Sequence, residues 1–406
     1  MNHPTYHRKG LSWNRKLKIL SQVLNSDGGE QVTNEASRLS TISTSLIRKM
    51  FEITEKAKRE GRDIVSLTIG EPDFHTPREV IEFAYKAMKS GYTHYTSNYG
   101  IYELREAISE FYNLSPENIM ITAGGSEGLL NASLAFIEKG SKVIIPSPSF
   151  LSYFTYAKLC EARIVEVRTH ENNFLLDPDD LLEVINRDVS VIFLNYPNNP
   201  TGAVMTYKKL REIAEIARDY NAIVISDEIY DRIYYDAKPG TLAGFDNVVV
   251  INGFSKSLAM TGWRIGYIVS NPELLDPILK VHQVNGVCAP AFAQKAILDV
   301  IRSGMFDDVV DTMVKEFRKR RDFIYGELSK YFKIVKPEGA FYMFVDVEED
   351  CMQFTENLLD FGVAVTPGIP FGSWNDNFVR ISYANSIDNL KKAVERIKNY
   401  HDNSRA

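Results

Sequence analysis

The stretch Val248-Val249-Val250-Ile251-Asn252-Gly253-Phe254-Ser255-Lys256-Ser257 decides how this chain reads. A short, unbroken β-branched run has the composition of a strand buried on both faces, as in a parallel sheet. The run gives way to a small, polar turn, so the strand delivers one amine, that of Lys256, beside the Ser255 hydroxyl. Arg264 follows in Thr261-Gly262-Trp263-Arg264-Ile265-Gly266. Alone, a Ser-Lys pair of this kind is most often a surface lysine in a loop after a strand.

Working outward, three other segments repeat the form of strand followed by turn. Ser190-Val191-Ile192-Phe193-Leu194 runs into Asn195-Tyr196-Pro197-Asn198-Asn199-Pro200-Thr201-Gly202. There the prolines and the glycine hold the loop to one path and Asn199 can offer an amide donor. Ala222-Ile223-Val224-Ile225-Ser226 ends in Asp227-Glu228-Ile229-Tyr230. A carboxylate so placed is either a helix N-cap or a functional acid at the mouth of a parallel sheet. Ile119-Met120-Ile121-Thr122-Ala123-Gly124-Gly125-Ser126-Glu127-Gly128 reads as strand, glycine turn and helix start, and the N–H groups and dipole of that start suit an anion. An amine beside a hydroxyl and a guanidinium, with an anion site in reach, suits an aldehyde cofactor that carries a phosphate.

Lys142-Val143-Ile144-Ile145-Pro146 adds a further buried strand, and helical patterns lie between the strands. Leu210, Ile213, Ala214 and Ala217 repeat at helical spacing. The alternation predicts an α/β fold: a large, doubly wound, mostly parallel sheet with helices on both faces. Ligands of such sheets bind beyond the carboxyl ends of the strands. Ser126, Asn199, Asp227 and Lys256 all follow strands and are expected to converge on one cleft. Farther on, Lys330 to Val335, Gly339 to Val345 and Phe378 to Ser382 read as strands of a smaller α+β domain. A closing helix carries Leu390, Ala393, Val394 and Ile397 on one stripe.

The 406 residues are ample for a large core and suggest two or three domains. With 44% hydrophobic and 25% charged residues the composition is that of a soluble globular protein, and a formal charge of −6 argues against a nucleic-acid or anionic-membrane partner. No apolar run approaches the roughly 18 residues of a transmembrane helix. Cys160, Cys288 and Cys351 lie far apart, which suits a reducing, cytoplasmic compartment and gives no zinc spacing; no metal is expected. Residues 1–35 are basic until Asp27. An organelle transit peptide and a flexible arm ending at Asp27-Gly28-Gly29 are the alternatives, and the patchy amphipathicity favours the arm.

Gly70-Glu71-Pro72-Asp73-Phe74, then Tyr95 to Arg105, the glycine turn, Asn199-Pro200-Thr201-Gly202, Asp227-Glu228-Ile229-Tyr230, Ser255-Lys256 with Arg264, and Arg380-Ile381-Ser382-Tyr383-Ala384 stand in one order. In that order the chain resembles the aspartate-aminotransferase-like family of pyridoxal-phosphate enzymes (fold type I, class I/II) over nearly all of its length after about residue 36. The resemblance implies a division into an N-terminal extension (1–35), an N-terminal part of the small domain (36–75), a large cofactor-binding domain (76–310) and a C-terminal part of the small domain (311–406).

It also implies roles. Lys256 would hold the cofactor aldehyde and act as general base, and Asp227 would keep the pyridine nitrogen protonated. Asn199 and Tyr230 would bind the phenolic oxygen; Tyr230 lies one helical turn beyond Asp227, so both can face one way. Gly125, Ser126, Ser255 and Arg264 would hold the phosphate. Phe150 would pack on the ring, where close relatives often carry tryptophan; plain core packing is its other reading. Arg380, otherwise a solvated edge residue, would grip the substrate α-carboxylate with two parallel hydrogen bonds near Gly70. Tyr95 would reach the phosphate of a neighbouring subunit's cofactor, making the working form a homodimer; its other reading is a packed aromatic loop within one chain. The implied reaction passes an amino group from an L-amino acid to a 2-oxo acid, such as 2-oxoglutarate, in two half-reactions.

Ser126 stands where some acid-specific relatives have lysine, so aspartate, aromatic and alanine-type substrates all stay open. β-Elimination, as in a C–S lyase, is the alternative on the same cofactor. Gly124-Gly125-Ser126-Glu127-Gly128 also fits the G-x-S-x-G elbow of serine hydrolases, but the downstream histidines His170, His282 and His401 lie in no recognisable loop signature. A catalytically silent binding protein of the same fold is disfavoured because every cofactor position is filled.

Overall fold

In the computed structural model, which describes residues 35–42 and 46–404, the short apolar runs are central strands of one sheet. The expectation for residues 1–34 therefore lies outside the described residues. Helix α1 (Leu46–Arg59) leads to strand β1 (Val65–Ser66), and α2 (Arg78–Lys89) and α3 (Tyr102–Glu110) precede β2 (Ile119–Thr122). Strands and helices then alternate: α4 (Gly125–Phe136), β3 (Lys142–Ser147), α5 (Leu151–Leu159), β4 (Arg163–Arg168), α6 (Pro178–Val184), β5 (Val189–Asn195), α7 (Tyr207–Asp219) and β6 (Ile223–Asp227). Strands β7 (Val248–Gly253) and β8 (Gly266–Val269) follow, then α8 (Pro272–Asn285), α9 (Ala291–Arg302) and the long α10 (Phe306–Leu328). The remainder comprises β9 (Lys333–Ile334), β10 (Tyr342–Asp346), α11 (Cys351–Asp360), β11 (Val363–Ala364), β12 (Thr366–Pro367), β13 (Phe378–Ser382) and α12 (Ile387–Ser404).

The large sheet has the order β2-β8-β7-β6-β5-β3-β4, parallel throughout except for β8, which runs antiparallel to both neighbours. Successive side chains point to opposite faces. Ile192, Leu194, Val224, Val248 and Val250 therefore enter one core, and Val191, Phe193, Ile225, Val249 and Ile251 enter the other. Each such apolar side chain, once buried, contributes about 1.5–3 kcal/mol. Helix α7 presents Leu210, Ile213, Ala214 and Ala217 to the sheet, and all four are buried.

A third core holds the smaller sheet β12-β13-β10-β9, which is antiparallel. The N-terminal segment meets this region through β1, whose Val65 and Ser66 pair in parallel with Val363 and Ala364 of β11. Two local expectations differ from the structure. Of Lys330 to Val335 only Lys333 and Ile334 pair, because the preceding residues form the turn that closes α10. After Asp227 the chain turns rather than entering a helix: the Asp227 carboxylate accepts the Ile229 N–H at 3.2 Å, an Asx-type bond that competes with helix formation.

Candidate active site

Register brings the strand ends together. Asn195 of β5 lies opposite Asp227 of β6, and Asp227 lies opposite Ile251 of β7. The turns beyond them open into one cavity of about 530 Å³ between the large sheet and the smaller domain. Gly70, Gly125, Ser126, Phe150, Asn199, Asp227, Tyr230, Ser255, Lys256, Arg264 and Arg380 all line it. Tyr95 does not; it stands 83% exposed on the loop before α3.

The part-buried Lys256 amine donates to the Gly70 carbonyl at 2.8 Å. Burial pulls its pKa from 10.5 to about 8; Arg380 and Arg264 add to the fall, while Glu71 and Asp227 oppose it. Desolvation is thus the main cause. Asp227 is buried at the end of β6, and its Oδ2 accepts the Tyr153 hydroxyl at 2.7 Å. Burial raises its pKa from 3.8 to about 6 against the bonds from Tyr153 and the Ile229 N–H and the charge of Lys256. Tyr153 was not legible as a site residue, although it sits one turn beyond Phe150 on α5. Its ring stacks on Phe193 at 5.0 Å and takes Phe150 edge-on at 5.7 Å.

Arg380 is a buried cation in β13. Its Nη1 donates to Asn199 Oδ1 at 2.9 Å and its Nη2 to the Thr68 carbonyl at 2.8 Å. The guanidinium lies 4.6 Å from the centre of the Tyr342 ring and 5.2 Å from that of Phe371. It is thus a buried cation aimed at the cavity, not a solvated edge residue. With its oxygen held by Arg380, Asn199 keeps its amide N–H groups as donors. Tyr230 shares a hydroxyl–hydroxyl bond of 2.9 Å with Tyr342, and burial and that neighbour push its pKa well above 10. Tyr230 therefore stays a protonated donor. Tyr342 is a second residue the sequence did not disclose.

At the other end of the cavity Gly125 and Ser126 open α4, where the first N–H groups have no intrahelical acceptor. Gly124 precedes them with φ +89°, and a Cβ there would lie 2.4 Å from the Arg264 guanidinium. Arg264 is itself left-handed at φ +53°. It is fixed by donation from Nη1 to the Thr261 carbonyl at 3.0 Å and from Nη2 to Ala123 at 3.3 Å. The turn, the helix start, the Ser255 hydroxyl and this guanidinium form a cradle for an anion.

A family profile described as "Aminotransferase class I and II" matches residues 62–397. The chain belongs to this family. It is a transaminase with the fold of the aspartate aminotransferases. It is 41% identical over 378 residues to a probable aspartate aminotransferase of Methanocaldococcus jannaschii, covering 89% of this chain and 98% of the relative. An aromatic-amino-acid aminotransferase of Thermococcus litoralis is 36% identical over 381 residues, covering 89% and 97%. Among solved structures, the aspartate aminotransferase of Thermus thermophilus with maleate superposes with a TM-score of 0.87 at 33% identity, covering 90% of this chain and 99% of that one.

These findings give no support to the elimination alternative. The serine-hydrolase alternative also gains none. Ser126 is exposed at the start of α4, while the buried His282 turns its Nδ1 to Glu127 at 2.6 Å. Among the described residues, no helix of this aminotransferase is long and apolar enough to cross a membrane.

Proposed function

We propose that this aminotransferase uses pyridoxal phosphate to move the amino group of an L-amino acid, dicarboxylic acids among them, to a 2-oxo acid such as 2-oxoglutarate, and that it works as a homodimer. The observation that carries this reading is a single cavity holding an amine of depressed pKa, a buried carboxylate, a buried guanidinium and an anion cradle. The residues fit the cofactor. Among the described residues no cation contacts the buried Asp227, which suits a protonated ring nitrogen, and the cradle suits a phosphate.

Lys256 would hold the aldehyde and Asp227 the ring nitrogen. Asn199 and Tyr230 would hold the phenolic oxygen, Gly125, Ser126, Ser255 and Arg264 the phosphate, and Phe150 would pack on the ring. The chemistry such a group supplies when bound is an electron sink for the pair left behind when an amino acid loses its α-proton. Arg380 grips the α-carboxylate and so fixes the direction of the Cα–H bond. Lys256 Nζ, neutral in a useful fraction near its pKa of about 8, takes up the proton leaving Cα.

Two features favour a dicarboxylic substrate. Arg48 of α1 lines the same cavity and adds a cation to those engaged above. The Methanocaldococcus relative is named an aspartate aminotransferase, and the Thermus enzyme was solved with maleate, a dicarboxylate. The homodimer reading rests on surface chemistry. Ile81, Tyr85 and Met88 of α2 are exposed, and with Trp263, Pro290 and Phe292 they line an apolar groove that adjoins Arg264. A second copy seated there would cover this apolar surface and could bring its Tyr95 to the phosphate end.

The test is direct. Purified enzyme with pyridoxal phosphate, 2-oxoglutarate and each of twenty amino acids in turn should form glutamate, fastest from aspartate or another acidic donor. Pyruvate and ammonia formed without glutamate would overturn the reading.

A further inference from the structure

Glu127 is a charged residue that the transamination chemistry leaves without a role, yet it is nearly buried directly beneath the anion cradle. A carboxylate at this point is unfavourable for a phosphate above it, since like charges repel. Its hydrogen bonds show what outweighs that cost. Oε2 accepts the Ala123 N–H at 2.5 Å, within the turn that precedes α4. Oε1 accepts from Asn131 Nδ2 at 2.7 Å and from His282 Nδ1 of α8 at 2.6 Å. These bonds hold the carboxyl pKa below its ordinary value despite burial, so the acceptor stays charged. His282 Nε2 is buried with no partner among the described residues. The ring N–H therefore belongs on Nδ1, where Glu127 accepts it.

The space around the carboxylate is closed as well. A Cβ at Gly286 would lie 2.8 Å from Glu127 Oε1, although the Gly286 backbone, at φ −117°, would accept any residue. The contact, not the conformation, requires glycine there. Beyond Gly286 the Val287 carbonyl accepts Asn98 Nδ2 at 2.8 Å, and Asn98 belongs to the loop that carries Tyr95. The Ala123 carbonyl in turn accepts Arg264 Nη2. One carboxylate thus joins the Ala123–Ser126 turn, the Arg264 contact, the end of α8 and the Tyr95 loop. A mere helix cap would need neither the burial nor the histidine.

We propose that Glu127 and His282 form a buried clamp that positions the phosphate-binding turn, so that retention of the cofactor depends on a hydrogen bond from α8. The proposal rests on the reading that this turn holds a phosphate. Glu127 and His282 are positioning residues, touching neither substrate nor cofactor.

The test is to strip the cofactor from the full-length enzyme and its variants. Each is then titrated with pyridoxal phosphate, followed by absorbance, and separately with inorganic phosphate, which probes the cradle alone. In His282→Leu the Glu127 charge loses its partner, and both dissociation constants should rise roughly tenfold or more. His282→Asn places an amide N–H near the original Nδ1, so it should stay within about threefold of wild type. Gly286→Ala crowds the carboxylate without removing a polar group and should behave like His282→Leu. At saturating cofactor the KM for the amino acid should be unchanged in all three. Equal dissociation constants for the Leu and Asn variants, or no rise in the Leu and Ala variants, would overturn the clamp. If His282→Leu does not fold, Gly286→Ala decides. Should wild-type protein itself fail to bind pyridoxal phosphate, the fault lies with the functional reading and not with the clamp.

Discussion

Replacing Asp227 by asparagine should stabilise the cofactor-free chain while disabling the enzyme. In the absence of cofactor, burial raises the Asp227 pKa from 3.8 to about 6. The unfolded chain keeps the ordinary value, so between those two pH values the folded state holds a proton that the unfolded state has lost. The contribution of the protonated carboxyl is thus fully present below about 3.8 and is lost as the pH rises through about 6. A shift of that size corresponds to roughly 3 kcal/mol for a side chain as buried as this one. Asparagine cannot ionise and keeps the shape; its one oxygen can serve the Tyr153 hydroxyl, but its amide nitrogen then faces the Ile229 N–H, and the lost bond offsets about 1 kcal/mol of the gain.

Stripped Asp227→Asn should therefore exceed stripped wild type at pH 8 by roughly 2 kcal/mol, and by only about 0.5 kcal/mol at pH 5. Urea unfolding of the two stripped proteins at both pH values measures this. Transamination by the reloaded variant should fall by roughly a hundredfold or more, the usual scale for losing one preorganised charge contact. A stripped variant less stable than wild type at pH 8, or a stability gap that does not narrow on acidification, would refute the reasoning.

Lys256→Ala should abolish turnover, and reduction with borohydride should attach the cofactor to Lys256 and to no other lysine. In the stripped protein the rate of pyridoxal-phosphate uptake, followed by absorbance, should fall as the pH drops below about 8, because only the neutral Lys256 amine can attack an aldehyde. Arg380→Leu should raise KM for every amino acid tried, whereas Arg48→Leu should impair aspartate and spare phenylalanine; equal losses for both substrates in Arg48→Leu would remove it from the side-chain site. Mixing and refolding the separately inactive Tyr95→Phe and Lys256→Ala chains should restore about a quarter of wild-type activity, since half the dimers are hybrids with one intact site. No recovery, together with full activity of a dilute monomer, would show that Tyr95 serves its own chain.

What could be read from the chain is what depends on near neighbours in sequence. Val248 to Ile251 form a strand because β-branched runs suit a sheet buried on both faces, and the turn chemistry that follows fixes where Lys256 emerges. Asn199, Asp227 and the Gly124 turn are legible for the same reason: each sits where a strand ends, and the rule that parallel strands open onto one cleft brings them together. The family pattern then gave Arg380 its direction, which a lone strand arginine does not reveal.

Other features needed the tertiary structure. Tyr153 meets Asp227 across 74 positions, Tyr342 meets Tyr230 across 112, and His282 meets Glu127 across 155. No local period or turn rule encodes such pairs, because they arise from how the sheet, α5, α8 and the smaller domain pack. The pKa values are of the same kind. The sequence determined that an amine and a carboxylate would share a cleft. Only packing removed the water around them, and the loss of that water lowers Lys256 and raises Asp227.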